Sequence, residues 1–182
     1  MKNFFKHLHT INKHRRLVRY NCFKCGYYWR GLTHDLSKYS PTEFIPGCKY
    51  YQGYRSPTVK EREVEGYSNA WLHHKGRNKH HFEYWFDFNS KTKQYDPVQM
   101  PRQYLIEMLC DRIAASKVYL KDKYTDNSPL EYFLNKDKDV VMHETTKKQL
   151  KFLLEYLSIN GEKKTFKYIK DNKKNIDFLN FN

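Results

Sequence analysis

Met100-Pro101-Arg102-Gln103-Tyr104-Leu105-Ile106-Glu107-Met108-Leu109-Cys110-Asp111-Arg112-Ile113-Ala114-Ala115-Ser116-Lys117-Val118-Tyr119-Leu120 is the stretch that decides the fold. Tyr104, Met108, Asp111, Ala115 and Val118 recur at steps of three and four, which places them on one helical face. Pro101 suits the start of that helix. Asp111 stands in the middle of the apolar stripe. An unpaired buried carboxylate costs several kcal/mol, so such a group needs a partner or a metal.

The segments around it also read as helices. From about His14 to Leu32, the positions His14, Val18, Cys22, Cys25, Trp29 and Leu32 share one face, which puts His14 on the inward side. Ser40-Pro41-Thr42-Glu43 has a Ser cap, Pro in the first helical position and Glu43 placed to close a capping box. Ser56-Pro57 opens another helix, with Tyr67, Ala70, Trp71 and His74 on a common face toward its end. His80 to Trp85 reads as a short aromatic turn or helix, and Phe86 to Gln99 as irregular and polar. Ser128-Pro129-Leu130-Glu131 repeats the cap signature. Thr145 to Ile159 carries Leu150, Leu153, Leu154 and Leu157, with Asn160-Gly161 as a stop. No strand pair stands out. The class is all-α, a helical bundle over residues 1–160 with a basic C-terminal helix or tail over 161–182, anchored by Phe166 and Ile169.

Length and composition agree with one domain. The 182 residues are 39% hydrophobic and 17% aromatic, enough to build a core despite a mean hydropathy of −0.96. A net charge of +14 favours anionic partners, although a Lys-rich surface that is merely solvated explains it equally. No signal peptide and no run of roughly 20 apolar residues is present, so a cytoplasmic protein without a membrane segment is expected. Four cysteines are too few for a disulfide framework. Cys22-Phe23-Lys24-Cys25 is a lone CxxC whose cysteines fall on the apolar stripe, so they read as small core residues. The sequence sets no oligomeric state.

The candidate chemistry lies in histidines and aspartates on or beside the stripes. Neutral imidazole and ionised carboxylate are ligands for zinc, iron, manganese and related ions. His34 and Asp35 can share a centre if the chain is irregular there. His73-His74 and His80-His81 offer a second set, with His74 preferred because it shares its face with Trp71 and Tyr67. Lys38, about one turn beyond Asp35, is placed to neutralise an anionic group. Each residue has a plainer reading. His14 can be a hydrogen-bonded core residue, Asp111 can pair with Lys117, and Lys38 can be a surface lysine. His80-His81 can pack with Phe82, Tyr84 and Trp85, and Glu43 is most simply a cap. Tyr50, Tyr51 and Tyr54 suit stacking or a loop cover. Arg55, Arg77 and Arg102 are possible phosphate contacts without a spacing argument.

His14, then His34-Asp35, then Asp111 resembles the H…HD…D pattern of the HD superfamily of metal-dependent phosphohydrolases. His34-Asp35-Leu36-Ser37-Lys38 is similar to its HDxGK form, with Ser37 in place of Gly. More narrowly, Trp29 through Phe44 (WRGLTHDLSKYSPTEF), with His73-His74 and Asn78-Lys79-His80-His81-Phe82-Glu83-Tyr84-Trp85, looks like a small family of bacteria and their phages, over about Lys6 to Leu157. That narrower family implies no activity. The wider resemblance implies an HD-domain-like bundle with His14, His34, Asp35 and Asp111 as metal ligands. His74, His80 and His81 would hold a second ion, and Lys38 would bind substrate phosphate or a bridging hydroxide. It implies one or two divalent ions among manganese, iron, zinc, nickel and cobalt.

The expected function is therefore a phosphohydrolase in which metal-activated hydroxide attacks phosphorus, with Asp35 and Lys38 as the catalytic residues. Its partner would be an anionic small molecule, a nucleotide foremost, with the general acid unassigned unless Glu43 serves. Two other readings stand beside it. One is a di-iron oxygenase on an HD-like site. The other is a basic binder of nucleic acid or a host protein with a structural metal.

Overall fold

The computed structural model describes residues 2–136 and 140–180. Within them run eight α-helices: α1 (Lys2–Lys24), α2 (Tyr28–Thr33), α3 (Pro41–Lys49), α4 (Pro57–Glu65), α5 (Asn69–Arg77), α6 (Arg102–Leu120), α7 (Ser128–Lys136) and α8 (Glu144–Asp171). Two short strands, β1 (Phe86–Asn89) and β2 (Gln94–Pro97), form an antiparallel hairpin. The all-α expectation holds. None of the described helices is long and apolar enough to cross a membrane.

The core forms where α6 meets α1 and α8. Leu105, Ile106, Leu109, Cys110, Ile113 and Ala114 of α6 pack against Val18, Cys22 and Cys25 of α1 and Leu150, Leu153, Leu154 and Leu157 of α8. Burying a side chain of this size stabilises by roughly 1.5–3 kcal/mol, so this seam dominates the fold. Asn21 crosses it, donating from Nδ2 to the Cys110 carbonyl at 3.1 Å. Cys22, Cys25 and Cys110 are free thiols within this core, and Cys48, on α3, is a free, half-buried thiol outside it.

Several boundaries differ from the sequence reading, each for a local reason. The first helix ends at Lys24 rather than Leu32 because Gly26 adopts a left-handed backbone (φ 80°), and α2 restarts with a new phase. Trp29 and Leu32 are consequently 66% and 47% exposed rather than buried. Gly66 (φ 81°) likewise separates α4 from α5, and Tyr67 faces outward. Ser68 then caps α5 by accepting from the Trp71 amide at 3.0 Å, held in turn by Glu61 at 2.5 Å.

Residues 86–97, expected to be irregular, pair in register from Phe86 opposite Pro97 to Asn89 opposite Gln94. Neither strand has a buried face, which is why no periodicity betrayed them. Gly161 marks the break expected in the last helix, with non-helical φ 74° and ψ 168°, but the helix resumes beyond it. Phe166, Ile169, Phe178 and Leu179 join the common core. Arg102 donates to the carbonyls of Lys173 and Asn175, tying this segment to the start of α6. The last two residues of the basic tail, 181–182, lie outside the described residues.

Candidate metal centre

α2 stops at Thr33, and the next residues carry the chemistry. His34 caps α2 in a non-helical conformation. Asp35 follows with a left-handed backbone (φ 53°), before a 3₁₀ turn over Leu36–Tyr39. Asp tolerates this conformation better than most residues. Arg15 of α1 fixes the turn by donating to the carbonyls of His34 (2.8 Å) and Leu32 (3.3 Å). The irregular chain turns the two neighbouring side chains into one interior space.

Asp35 is fully buried and sits at the middle. On one side, Oδ2 faces His34 Nε2 at 3.2 Å and His14 Nε2 at 3.6 Å. Asp111 Oδ1 completes that side, 2.9 Å from His14 Nε2 and 3.5 Å from His34 Nε2. On the other side, Oδ1 faces His74 Nε2 at 3.3 Å and His80 Nε2 at 3.5 Å. Lys38 Nζ lies 2.6 Å from Oδ2, yet neither Asp35 oxygen receives a well-angled hydrogen bond. The Nε2 atoms of His80 and His81 are buried without a partner as well.

These atoms form two groups that share Asp35: His14, His34, Asp35 and Asp111, and Asp35, His74, His80 and His81. Within each group the potential ligand atoms all lie within 4.8 Å of one another. The donor set is imidazole and carboxylate, suited to borderline divalent cations. Desolvated carboxylate oxygens facing imidazoles on two sides, of which only Oδ2 has a cation, Lys38, beside it, are what a metal ion would satisfy. The residues therefore fit a metal ion, and the buried groups can hold one.

A supporting layer of carboxylates stands behind the imidazoles. Glu107 Oε1 accepts from His34 Nδ1 at 3.0 Å and lies 3.3 Å from His80 Nδ1. Glu43 accepts from His74 Nδ1 and His73 Nδ1, both at 2.7 Å. A carboxylate only accepts, so the Nδ1 atoms of His34, His73 and His74 carry the hydrogens. Nε2 of His34 and His74 is therefore the atom aimed inward that a metal would take, the usual arrangement behind ligating histidines. Glu107 also forms a third group with His34 and His80. Because it engages their Nδ1 atoms, that group supports the first two.

Electrostatics follow from this crowding. Burial pushes the Asp35 carboxyl up, but His34 and then Lys38 outweigh it and hold it well below the ordinary range. Asp111 is likewise held well below by His14 and His34 against the effect of burial. Burial lowers His80, and the neighbouring His34 adds to this. Burial, then His80 and His74, lower His81 further. Burial lowers His34 and His74, but Asp35 outweighs it and raises both; a bound cation would displace those protons, since the ligating form is neutral imidazole beside ionised carboxylate.

A cavity of about 700 Å³ opens from the centre, with His14, Lys38, His74, His81 and Asp111 in its wall. Ile11, Met108 and Trp71 also line it.

The structure brings together every expected ligand: His14, His34, Asp35, His74, His80, His81 and Asp111. His73 points instead to Glu43, and Lys38 pairs with Asp35 rather than standing free. Asp111 does not pair with Lys117, which is held by Glu162. Glu43 is not a cap, since Ser40 makes no side-chain capping bond and the Glu43 carboxylate is committed to the histidines. Arg55 grips Glu63 through both nitrogens, and Arg102 grips backbone carbonyls, so neither awaits a phosphate. Glu107 escaped the sequence reading. It lies one turn before Asp111 on the same face, and that spacing was the available signal.

No curated protein and no solved structure matches the chain. Residues 3–156 match one family, which takes in the whole centre from His14 to Asp111, and the chain therefore belongs to DUF5662, a family of unknown function.

Proposed function

We propose that this protein is a metal-dependent phosphohydrolase of HD type, acting on a nucleotide or another small phosphate ester. The observation that carries the reading is Asp35: a fully buried carboxylate without a well-angled hydrogen bond, facing one imidazole group on each side. The order His14, His34-Asp35, Asp111 along the chain supports the HD assignment.

One ion would be held by His14, His34, Asp35 and Asp111, and a second by Asp35, His74, His80 and His81. When bound, a divalent ion there supplies Lewis acidity and a water acidic enough to ionise near neutral pH. The chain's own residues do the rest. Glu107 and Glu43 keep protons on the Nδ1 atoms and hold the rings in register. Lys38, at the cavity wall, is raised in pKa by Asp35 despite burial and stays cationic beside an anionic substrate group. The largely apolar wall of the cavity would hold the organic part of the ester and exclude bulk water, which strengthens charge interactions inside.

The test is elemental analysis of purified protein, then turnover of nucleotides and generic phosphodiesters with manganese, iron, zinc, nickel or cobalt supplied. Asp35→Asn and Asp111→Ala should each lose metal and turnover while keeping helix content. Wild-type metal and activity in both variants would end the proposal. Bound iron with an oxygen-dependent product and no hydrolysis would replace it with oxygenase chemistry.

A further inference from the structure

Asp35 is the first acidic residue in the chain, and eight Lys or Arg precede it. The face of α1 opposite His7, Ile11, His14 and Val18 is exposed in steps of three and four: Phe5, His9, Asn12, Arg16, Tyr20 and Phe23. α2 extends that face sideways. Its Gly31 packs so closely that a Cβ there would lie 3.1 Å from the Arg19 Cα and carbonyl oxygen. The Phe23 and Tyr28 rings meet edge-to-face at 5.2 Å. The joined surface carries Tyr20, Tyr28 and Trp29 at 55%, 52% and 66% exposure. Arg16 and Arg19 are exposed beside them, with no ion-pair partner among the described residues.

We propose that this α1–α2 face binds single-stranded nucleic acid. Unpaired guanidinium groups neutralise phosphates, and exposed rings among them offer stacking platforms for bases. A protein partner could bury the rings as well, but bases are the stacking partners that come covalently joined to the phosphates that the guanidinium groups neutralise. A lipid surface would need one continuous apolar face to insert, but α1 buries its apolar stripe of Ile11, Val18 and Cys22 within the protein and leaves these rings interspersed with cations. None of Arg16, Arg19, Tyr20, Phe23, Tyr28 or Trp29 lines the cavity beside the metal centre. The proposal therefore stands independently of any hydrolysis.

The experiment is fluorescence anisotropy of the full chain with fluorescein-labelled oligo(dT) and oligo(U) of about twenty nucleotides, across about 50–200 mM salt. Lys24 is exposed too, its ammonium 5.2 Å over the Tyr20 ring. With Arg16, Arg19 and Lys24 on phosphates, log K should fall against log salt with a slope near about −2. Arg16→Ala/Arg19→Ala should flatten that slope by about 1.4. Trp29→Ala should weaken binding roughly five- to 150-fold. Lys163→Ala/Lys164→Ala, which removes as much charge from exposed positions of α8, should leave affinity near wild type. Because all these side chains are exposed, circular dichroism should be unchanged in every variant. Wild-type affinity in both face variants would overturn the proposal. So would an equal loss in the α8 variant, or binding to phosphatidylserine vesicles without binding to either oligonucleotide. A preference between DNA and RNA identifies which strand the face takes.

Discussion

Glu107 Oε1 accepts a hydrogen bond from His34 Nδ1 at 3.0 Å, both groups buried. Burial raises the Glu107 carboxyl, but His34 and His80 outweigh it and keep the group ionised. One anion thus sets the ring orientation of two histidines that belong to different ligand groups.

Glu107→Gln should therefore lower metal affinity or turnover about 10–100-fold, the usual effect of losing such a partner. Isothermal titration with manganese or zinc, alongside activity, reads this out. Unchanged affinity would show that Glu107 only fills space.

His73 and His74 are neighbours that share Glu43, yet His74 Nε2 alone faces Asp35. His74→Ala should reduce bound metal markedly, whereas His73→Ala should leave it near wild type. Equal losses would mean that Glu43, freed on one side, no longer holds either ring.

His7 gives a prediction in pH. Burial, and then nearby Lys38, lower its pKa from 6.5 to about 4. Between those values the unfolded chain binds the proton and the folded chain does not, so stability must fall as pH drops from 6.5 toward 4. In His7→Gln that part of the acid limb should flatten. Thermal melts of both proteins across this window check it, and parallel curves would count against it.

Gly47 is pressed against the same ring. A Cβ there would collide with His7 Nε2 and Cε1, and the ring is hemmed in by Phe44 and Tyr51. Gly47→Ala should cost about 1–3 kcal/mol through overpacking. His7→Ala should recover part of that loss in the double variant. A melting temperature unchanged by Gly47→Ala would mean the ring moves freely.

Much of the centre was legible because burial and charge conflict visibly in a stripe. Asp111 in an apolar helical face and His14 on another needed only spacing to be noticed. Glu107 was hidden by proximity, since it adjoins Met108 within a run of apolar residues. Glu43 was masked by local chemistry, because Ser-Pro-Thr-Glu is also a sound capping pattern. Only α5 packing against α3 brings His73 and His74, thirty residues on, to that carboxylate. Trp29 and Leu32 were misplaced because helical phase was carried across Gly26, where the backbone turns. The hairpin at 86–97 left no trace, since short strands without a buried face have nothing to alternate.

Cys110 adjoins Asp111 in the chain, but its sulfur lies in the core, 4.0 Å from that of Cys25. Among the described residues, none of the three candidate ligand groups includes a thiol. Soft, sulfur-seeking ions such as cadmium or copper(I) thus find no preferred donor in the pocket, although a thiol lies one peptide bond away.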